Sequence, residues 1–409
     1  MLMCFTGCNS LVTKSNITSL LSAPKLNQNE REIVAAIESY IGDTIIIKYS
    51  QNQGYSAPIQ LTDIDYDGEY EAIVFYYAPN KGANIRFAML SYEDENWQIV
   101  MDKEGLGTEV FYFDTIVLPN VRGRQITVGY QSANIDENFF VVYFTDMDKQ
   151  LADYAERCQN IVTGDLTGNG YHNIILTRNA SNKYVSLIVL DFTEQLSFKN
   201  IGTKSLRYSG PEIEQIKINQ IKAGGKAVYV DYSDSHNHIH TEVFAIKDGR
   251  IVSCLDSLVI TKNWEHETVI NSVDINRDGI LETATVIPPT HLEEVPTFRY
   301  LEWADWTLAD VQRIYYGIYD IRENMFMALP DEWQDNIHAV ALDNGFEIVN
   351  SETDEKMIKF EEKESINDIQ VNTYSYAVYM GTRLWHLECD ESMSEYQVEY
   401  VYKSITDLN

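Results

Sequence analysis

Positive charge is scarce in this chain. Only 31 Lys and Arg stand against 62 Asp and Glu, for a formal net charge of −31 over 409 residues. A nucleic-acid binder needs a basic footprint to displace counterions from phosphate, so that class is excluded. Electrostatic docking of the folded surface onto anionic lipid headgroups is excluded for the same reason. Cations are the complementary partners of such a surface. Cysteine is also scarce. Cys4, Cys8, Cys158, Cys254 and Cys389 are far apart and odd in number. No Cys-x-x-Cys or Cys/His spacing occurs, so neither a disulfide scaffold nor a zinc finger is supported. Cys158 and Cys254 lie beside apolar runs and read as small buried hydrophobes. No apolar run approaches the roughly 18 residues of a membrane-spanning helix. Gly-x-Ser-x-Gly, His-Glu-x-x-His and glycine-rich phosphate loops are missing, so no hydrolase or nucleotide-binding signature is present.

What is present is a globular composition, 44% hydrophobic and 12% aromatic, on a chain long enough for a large core. The length suits two or three domains, or one large β fold. A helix is expected from Glu30 to Ile41, capped by Asn29 with Glu32 completing a capping box, and stopped by Gly42. From Thr44 onward the pattern is β. Hairpin-like segments centre on Arg86–Val100, Phe139–Leu151, Val185–Phe198, Thr241–Val252 and Arg299–Leu308. Asp248-Gly249 is a type I′ turn signal within the fourth. Segment starts recur at about 45 to 60 residues, an array-like period.

Between these hairpins one motif occurs three times. The copies are Asp63-Ile-Asp65-Tyr-Asp67-Gly68-Glu69-Tyr-Glu71, Asp165-Leu-Thr167-Gly-Asn169-Gly170-Tyr-His-Asn173 and Asp274-Ile-Asn276-Arg-Asp278-Gly279-Ile280-Leu-Glu282. They begin at 63, 165 and 274, intervals of 102 and 109 residues. Each runs into an apolar strand: Ala72–Tyr77, Ile174–Thr177 and Thr283–Ile287. The stretches Ile126–Tyr154 and Lys226–Leu255 resemble each other and lack the motif, so each interval holds two units. Oxygen ligands at alternate positions of a tight loop converge on one hard cation, with glycine at position 6 for the turn, a backbone carbonyl at position 7 and a carboxylate at position 9. The first and third loops carry the ligand charge for this. The second has one carboxylate, Asp165, with Thr167, Asn169 and Asn173 as neutral oxygens, and is a weak site at best. It is equally able to hold its shape by Asx-type hydrogen bonds.

The acidic loop followed by a strand resembles the FG-GAP/VCBS-type repeats of integrin-like β-propellers, over about residues 44 to 310. The resemblance implies a mainly β fold: a propeller of five to seven blades or an incomplete one, with structural Ca2+ in its loops. Carried over position by position, the first loop would ligate through Asp63, Asp65, Asp67, Glu71 and the carbonyl of Glu69. The third would use Asp274, Asn276, Asp278, Glu282 and the carbonyl of Ile280.

At the N-terminus, Phe5-Thr6-Gly7-Cys8 followed by a polar Ser/Asn/Thr/Lys stretch resembles a bacterial lipobox, which implies lipidation of Cys8. The basic n-region and full apolar stretch of a signal peptide are missing, and a start codon further upstream would supply both. Two acyl chains would hold the chain stably at a membrane. The expected organisation is 1–28 signal remnant and tether, 29–314 helix and propeller repeats, and 315–409 a small α+β domain. That last part loosely resembles a terminal module of some Gram-positive lipoproteins. Strands are expected there at Ile337–Leu342, Phe346–Ile348, Lys359–Glu361, Tyr376–Met380, Trp385–Glu388 and Gln397–Tyr402.

His236, His238 and His240 alternate beside Glu242 and would share one strand face. No second ligand group accompanies them, so a solvated hairpin rim is the simpler reading. Trp303 and Trp306 read as core rather than as a groove lining. Acidic pairs such as Glu293-Glu294 are expected by chance in so acidic a chain. The functional expectation is a monomeric, extracytoplasmic, lipid-anchored binding or scaffold module at the cell envelope, with a protein or glycan as ligand. The alternative is a glycan-active hydrolase or lyase built on the same propeller, which would need a concave pocket with paired carboxylates.

Overall fold

The computed structural model describes residues 26–52, 55, 57–132, 138–146, 148–149, 151–179, 184–209, 212–222, 224–233, 239–254, 270–287, 298–308, 310–334, 336–369 and 374–408. Cys4, Cys8 and nearly all of the expected tether lie outside these residues, as do His236, His238, Glu293 and Glu294. The protein is mainly β, built of antiparallel sheets of four or five strands. It divides into two compact units, one of Met1–Phe113 with Val128–Ile135, the other of Asp114–Thr127 with Asp136–Asn409. Among the described residues no helix is long and apolar enough to cross a membrane.

The first unit opens with a helix, Gln28–Ile41. The sequence offers two capping boxes in tandem, and the chain uses the earlier one rather than Asn29 with Glu32. Asn27 Oδ1 accepts from Glu30 N at 2.9 Å, and Glu30 Oε2 accepts from Asn27 N at 2.7 Å. The choice adds helical residues and frees Asn29 to accept from Trp97 Nε1 at 2.9 Å. Ile33, Ile37 and Ile41 share the buried face and pack with Ala72, Val74 and Tyr76. Gly42, in the left-handed region at φ 69°, ends the helix. The first sheet follows: β1 (Ile46–Lys48), β2 (Gln60–Thr62), β3 (Glu71–Tyr77), β4 (Arg86–Glu93) and β5 (Asn96–Glu104). β1 and β2 both pair with β3, and β3 to β5 form a meander. Asp94 and Glu95 turn β4 into β5 with positive φ at both residues, the twist-matched hairpin geometry.

The second sheet is β6 (Glu109–Val117), β7 (Arg124–Gln131), β8 (Asn138–Tyr143) and β9 (Tyr154–Cys158). Within the second unit, the third sheet is β10 (Asn160–Gly164), β11 (Asn173–Asn179), β12 (Tyr184–Phe192) and β13 (Phe198–Ser209). The fourth is β14 (Glu212–Gln220), β15 (Lys226–Ser233), β16 (Ile239–Lys247) and β17 (Arg250–Ser253). Each is a simple meander. Asp248-Gly249 makes the expected turn, with φ of 51° and 70°. The third and fourth sheets share a core in which Leu187, Val189, Val228, Val230 and Tyr232 meet. Gly202 lets β13 lie against β17, since a Cβ there would collide with Ile251.

The fifth sheet is β18 (Thr283–Ile287), β19 (Phe298–Trp306), β20 (Val311–Asp320) and β21 (Met325–Leu329). Arg299–Leu308 is therefore one strand and the start of a turn, not a hairpin; the hairpin is made with β20. β20 also runs through position 315, the expected start of a separate domain. Tyr229 and Val243 of the fourth sheet meet Ala304 and Trp306 of the fifth in a common core. Trp303 and Trp306 are buried, as expected of core residues.

The sixth sheet holds β22 (Ile337–Leu342), β23 (Gly345–Asn350), β24 (Lys356–Lys363), β25 (Ser375–Met380) and β26 (Arg383–Cys389), in the order β22-β23-β24-β26-β25. Gln397–Tyr402 does not form the expected strand. It lies in a helix, Glu395–Ser404, whose N-cap Ser394 bonds with Gln397 in a capping box. Val398 and Val401, three apart, face the core made by the fifth and sixth sheets. Local capping and this burial outweigh the β propensity of the valines and tyrosines. A last strand, β27 (Thr406–Asp407), pairs with β21. Cys158, Cys254 and Cys389 are buried, and burial pushes their thiols up to about 12, so they behave as inert hydrophobes.

Candidate metal centre

The three motif loops share one backbone. Position 4 is left-handed in each, at Tyr66 (φ 64°), Gly168 (74°) and Arg277 (63°). So is position 6, at Gly68, Gly170 and Gly279. Position 2 is a buried anchor: Ile64, Leu166 and Ile275. Position 9 is the buried first residue of the motif strand or its immediate neighbour, and its side chain reaches back to the position 2 amide. Glu71 Oε2 accepts from Ile64 N at 2.7 Å, Asn173 Oδ1 from Leu166 N at 3.1 Å, and Glu282 Oε2 from Ile275 N at 2.8 Å. Position 1 closes the turn on the position 6 amide, with Asp63–Gly68, Asp165–Gly170 and Asp274–Gly279 at 3.2, 3.0 and 2.9 Å. Position 5 accepts from position 7 at 2.8 to 2.9 Å: Asp67 from Glu69 N, Asn169 from Tyr171 N, Asp278 from Ile280 N.

In the first unit, the first loop brings Asp63, Asp65 and Glu71 together, with one carboxylate oxygen of each within 4.8 Å of the others. In the second unit, the third loop does the same with Asp274, Asp278 and Glu282. These two clusters could each hold a metal ion. Asp67 stands outside the first cluster, at the exposed rim. Asn276 bridges the third from within: its Nδ2 donates to Asp278 Oδ2 at 3.2 Å and Glu282 Oε1 at 3.1 Å. Asp63 Oδ1 is buried without a hydrogen-bond partner. An orphaned carboxylate oxygen at the centre of an acidic loop is what a hard cation satisfies.

The second loop satisfies itself. Asp165 Oδ1 accepts from Gly168 N at 2.7 Å and Asn169 N at 3.0 Å. Lys226 Nζ stands 3.7 Å from its Oδ2. Burial alone would raise Asp165, but the Gly170 amide, Lys226 and the other two amides outweigh it and hold the carboxyl below its usual range. Thr167 lines a cavity of 390 Å³ together with Lys226 and Gly224. An ammonium and three amides thus satisfy the single carboxylate of the second loop, where each acidic loop gathers three carboxylates.

The acidic loops carry electrostatic strain. Burial raises Glu71, and Asp65 and Asp67 add to the rise against the Ile64 amide. Burial likewise lifts Glu282 far above the carboxylate range, with Asp305 and Asp278 contributing. Both groups hold a proton more firmly in the folded than in the unfolded chain. Without a cation their contribution is therefore full below the ordinary carboxylate pKa and is lost as pH rises through the raised values. The expected result is that cation-induced stabilisation grows between about pH 5 and about pH 8, as cation replaces proton. Melting curves with and without chelator across that range check this; an effect as large at the acid end would contradict it.

Two groups near the third loop have no place in the motif: Asp305 on β19 and Lys222 in the β14–β15 turn. An aspartate set between Ala304 and Trp306 at the apolar end of β19 was the available signal. Of the histidine run, His240 departs from the expected solvated rim: it is buried beside Tyr232, with ring centroids 5.7 Å apart.

No protein-family model matches the chain, and neither does any curated protein. Among solved structures, one match is a hypothetical protein from Leishmania major, at 10% identity over 69% of this chain and 92% of that chain, with a TM-score of 0.26. A likeness of that degree carries no argument for fold or function.

Proposed function

We propose that this protein is a calcium-binding β-propeller of FG-GAP/VCBS type, serving as a binding or scaffold module for a protein or glycan at the cell envelope. One observation carries the reading: two acidic loops of matching backbone each gather three carboxylates at the entry to a strand of a meander sheet. The propeller is supported by successive meanders that share cores face to face within the second unit. Calcium is favoured over magnesium because the donors are several hard oxygens in an irregular turn, which suits a large, flexible coordination sphere. An affinity on the order of 10⁻⁴ to 10⁻³ M fits an extracellular module, where calcium fixes turns and takes no part in catalysis. Tethering by lipid on Cys8 is supported by Phe5-Thr6-Gly7-Cys8 and the polar stretch after it.

Isothermal titration tests the metal reading. Two calcium ions per chain are expected, one for each acidic loop and none for the second, with magnesium competing poorly. A chain that takes up no calcium would overturn it. For the tether, Cys8→Ala is expected to move the protein from the membrane fraction to the soluble fraction of expressing cells; an unchanged distribution would remove the anchor from the proposal.

A further inference from the structure

Asp305 lies beside Glu282 across the β18–β19 pair. Thr283 pairs with Ala304, which sets the preceding Glu282 and the following Asp305 side by side, within hydrogen-bonding reach. Asp305 is fully buried. Its Oδ2 accepts from Lys222 Nζ. Its Oδ1 is buried with no hydrogen-bond partner. Two carboxylates in contact away from water need positive charge nearby, and the part-exposed ammonium of Lys222 is the one that pairs with Asp305.

The other two loops differ at this place. In the second, Asn173 Nδ2 donates to Asp191 Oδ1 at 3.0 Å, an amide–carboxylate pair that is complete by itself. In the first, the pairing of Ala72 with Leu90 puts Ser91 at the corresponding position, and its hydroxyl bonds to Glu93 at 3.1 Å. Of the three, only the third loop backs its position 9 carboxylate with another carboxylate. Lys222 comes from the turn of the fourth sheet, which has no acidic loop of its own. Lys226, at the end of the same turn, serves the second loop. One turn therefore supplies an ammonium to the loop on either side. At the second loop the lysine meets a single carboxylate. At the third it faces Asp305, with Asp278 and Glu282 also close enough to act on it.

We infer that Asp305 is a positioning residue of the third cation site, a buried fourth carboxylate acting through Glu282, and that Lys222 is the built-in charge a cation there must work against. The inference rests on the acidic loops being cation sites. It predicts effects of opposite sign for two neighbouring side chains. Asp305→Asn keeps the shape and removes one negative charge, so calcium affinity at the third loop falls about tenfold, as expected for one charge at close range in a partly screened site. Lys222→Met removes the opposing charge, so affinity rises several-fold.

The experiment is calcium titration of the full chain carrying Asp65→Asn, which silences the first loop and leaves one site to read. Asp305→Asn and Lys222→Met are added singly to that background, with melting in chelator to confirm that each variant folds. Weaker binding in the first and tighter binding in the second supports the inference. Unchanged affinity in both, with calcium still bound, overturns it and leaves the reading of the loops standing. No binding in the background or in the parent chain overturns both together. A purely structural role for the pair would shift the melt in chelator and could not make Lys222→Met bind more tightly. That variant keeps the test decisive even where Asp305→Asn fails to fold.

Discussion

Millimolar calcium is expected to raise the melting temperature of this protein by several degrees. At about a tenfold excess over a dissociation constant of about 10⁻⁴ M, each site adds about 1.4 kcal/mol to stability, because the ion binds the folded loop and not the unfolded chain. The gain has a specific origin. Asp63, Asp65 and Glu71 crowd one turn, and Asp274, Asp278 and Glu282 another, so a divalent ion relieves repulsion that folding itself creates. Asp65→Asn and Asp278→Asn each remove a ligand charge without touching the buried anchors Ile64 and Ile275. Each should remove about half of the calcium effect while leaving the melt in chelator unchanged or slightly raised, since one repelling charge has gone. The corresponding change in the second loop, Asn169→Ala, should leave the calcium response intact. A melt indifferent to calcium would mean that the acidic loops are hydrogen-bonded turns and nothing more.

Asp231→Ala is expected to be the most damaging single substitution near the third loop, at about 3 kcal/mol or more. Asp231 is fully buried on β15. Its Oδ2 accepts from Ser272 N at 2.9 Å, Ser272 Oγ at 2.6 Å and Gln215 Nε2 at 3.0 Å, and its Oδ1 accepts from Thr241 Oγ1 at 2.6 Å. Burial raises its pKa despite these donors, so its value lies in the bonds it accepts rather than in its charge. Removing it strands several buried donors at once. It also releases Ser272, which leads directly into Val273 and Asp274 at the start of the third loop. Asp231→Asn is the informative control. The amide oxygen can take the place of Oδ2, and the Thr241 hydroxyl can turn to accept from the new Nδ2. The cost should then fall to about 1 kcal/mol. Urea denaturation of the two variants decides the matter; equal losses would show that the hydrogen-bond network is not what holds this corner.

Sequence alone determined the elements whose causes are local. The three loops were legible because glycine at position 6 and oxygen-bearing side chains at positions 1, 3, 5 and 9 each answer a need of the turn itself. The Asp248-Gly249 hairpin, the burial of Cys158 and Cys254 and the stripe of Ile33, Ile37 and Ile41 were legible for the same reason. Where two local solutions competed, the tertiary structure chose. Asn27 caps the first helix because Asn29 has a use in bonding Trp97, and Glu395–Ser404 is helical because Val398 and Val401 find a core three residues apart. What spacing along the chain could not show was which side chains would face the loops from other strands. Lys226 at the second loop, and Asp305 with Lys222 at the third, are brought there by strand pairing and by a turn from the neighbouring sheet. Charge acts through space while motifs are read along the chain, so the position of each acidic loop followed from sequence, while which of its carboxylates gather, with Asp67 left outside the first cluster, and which charges surround them followed only from the fold.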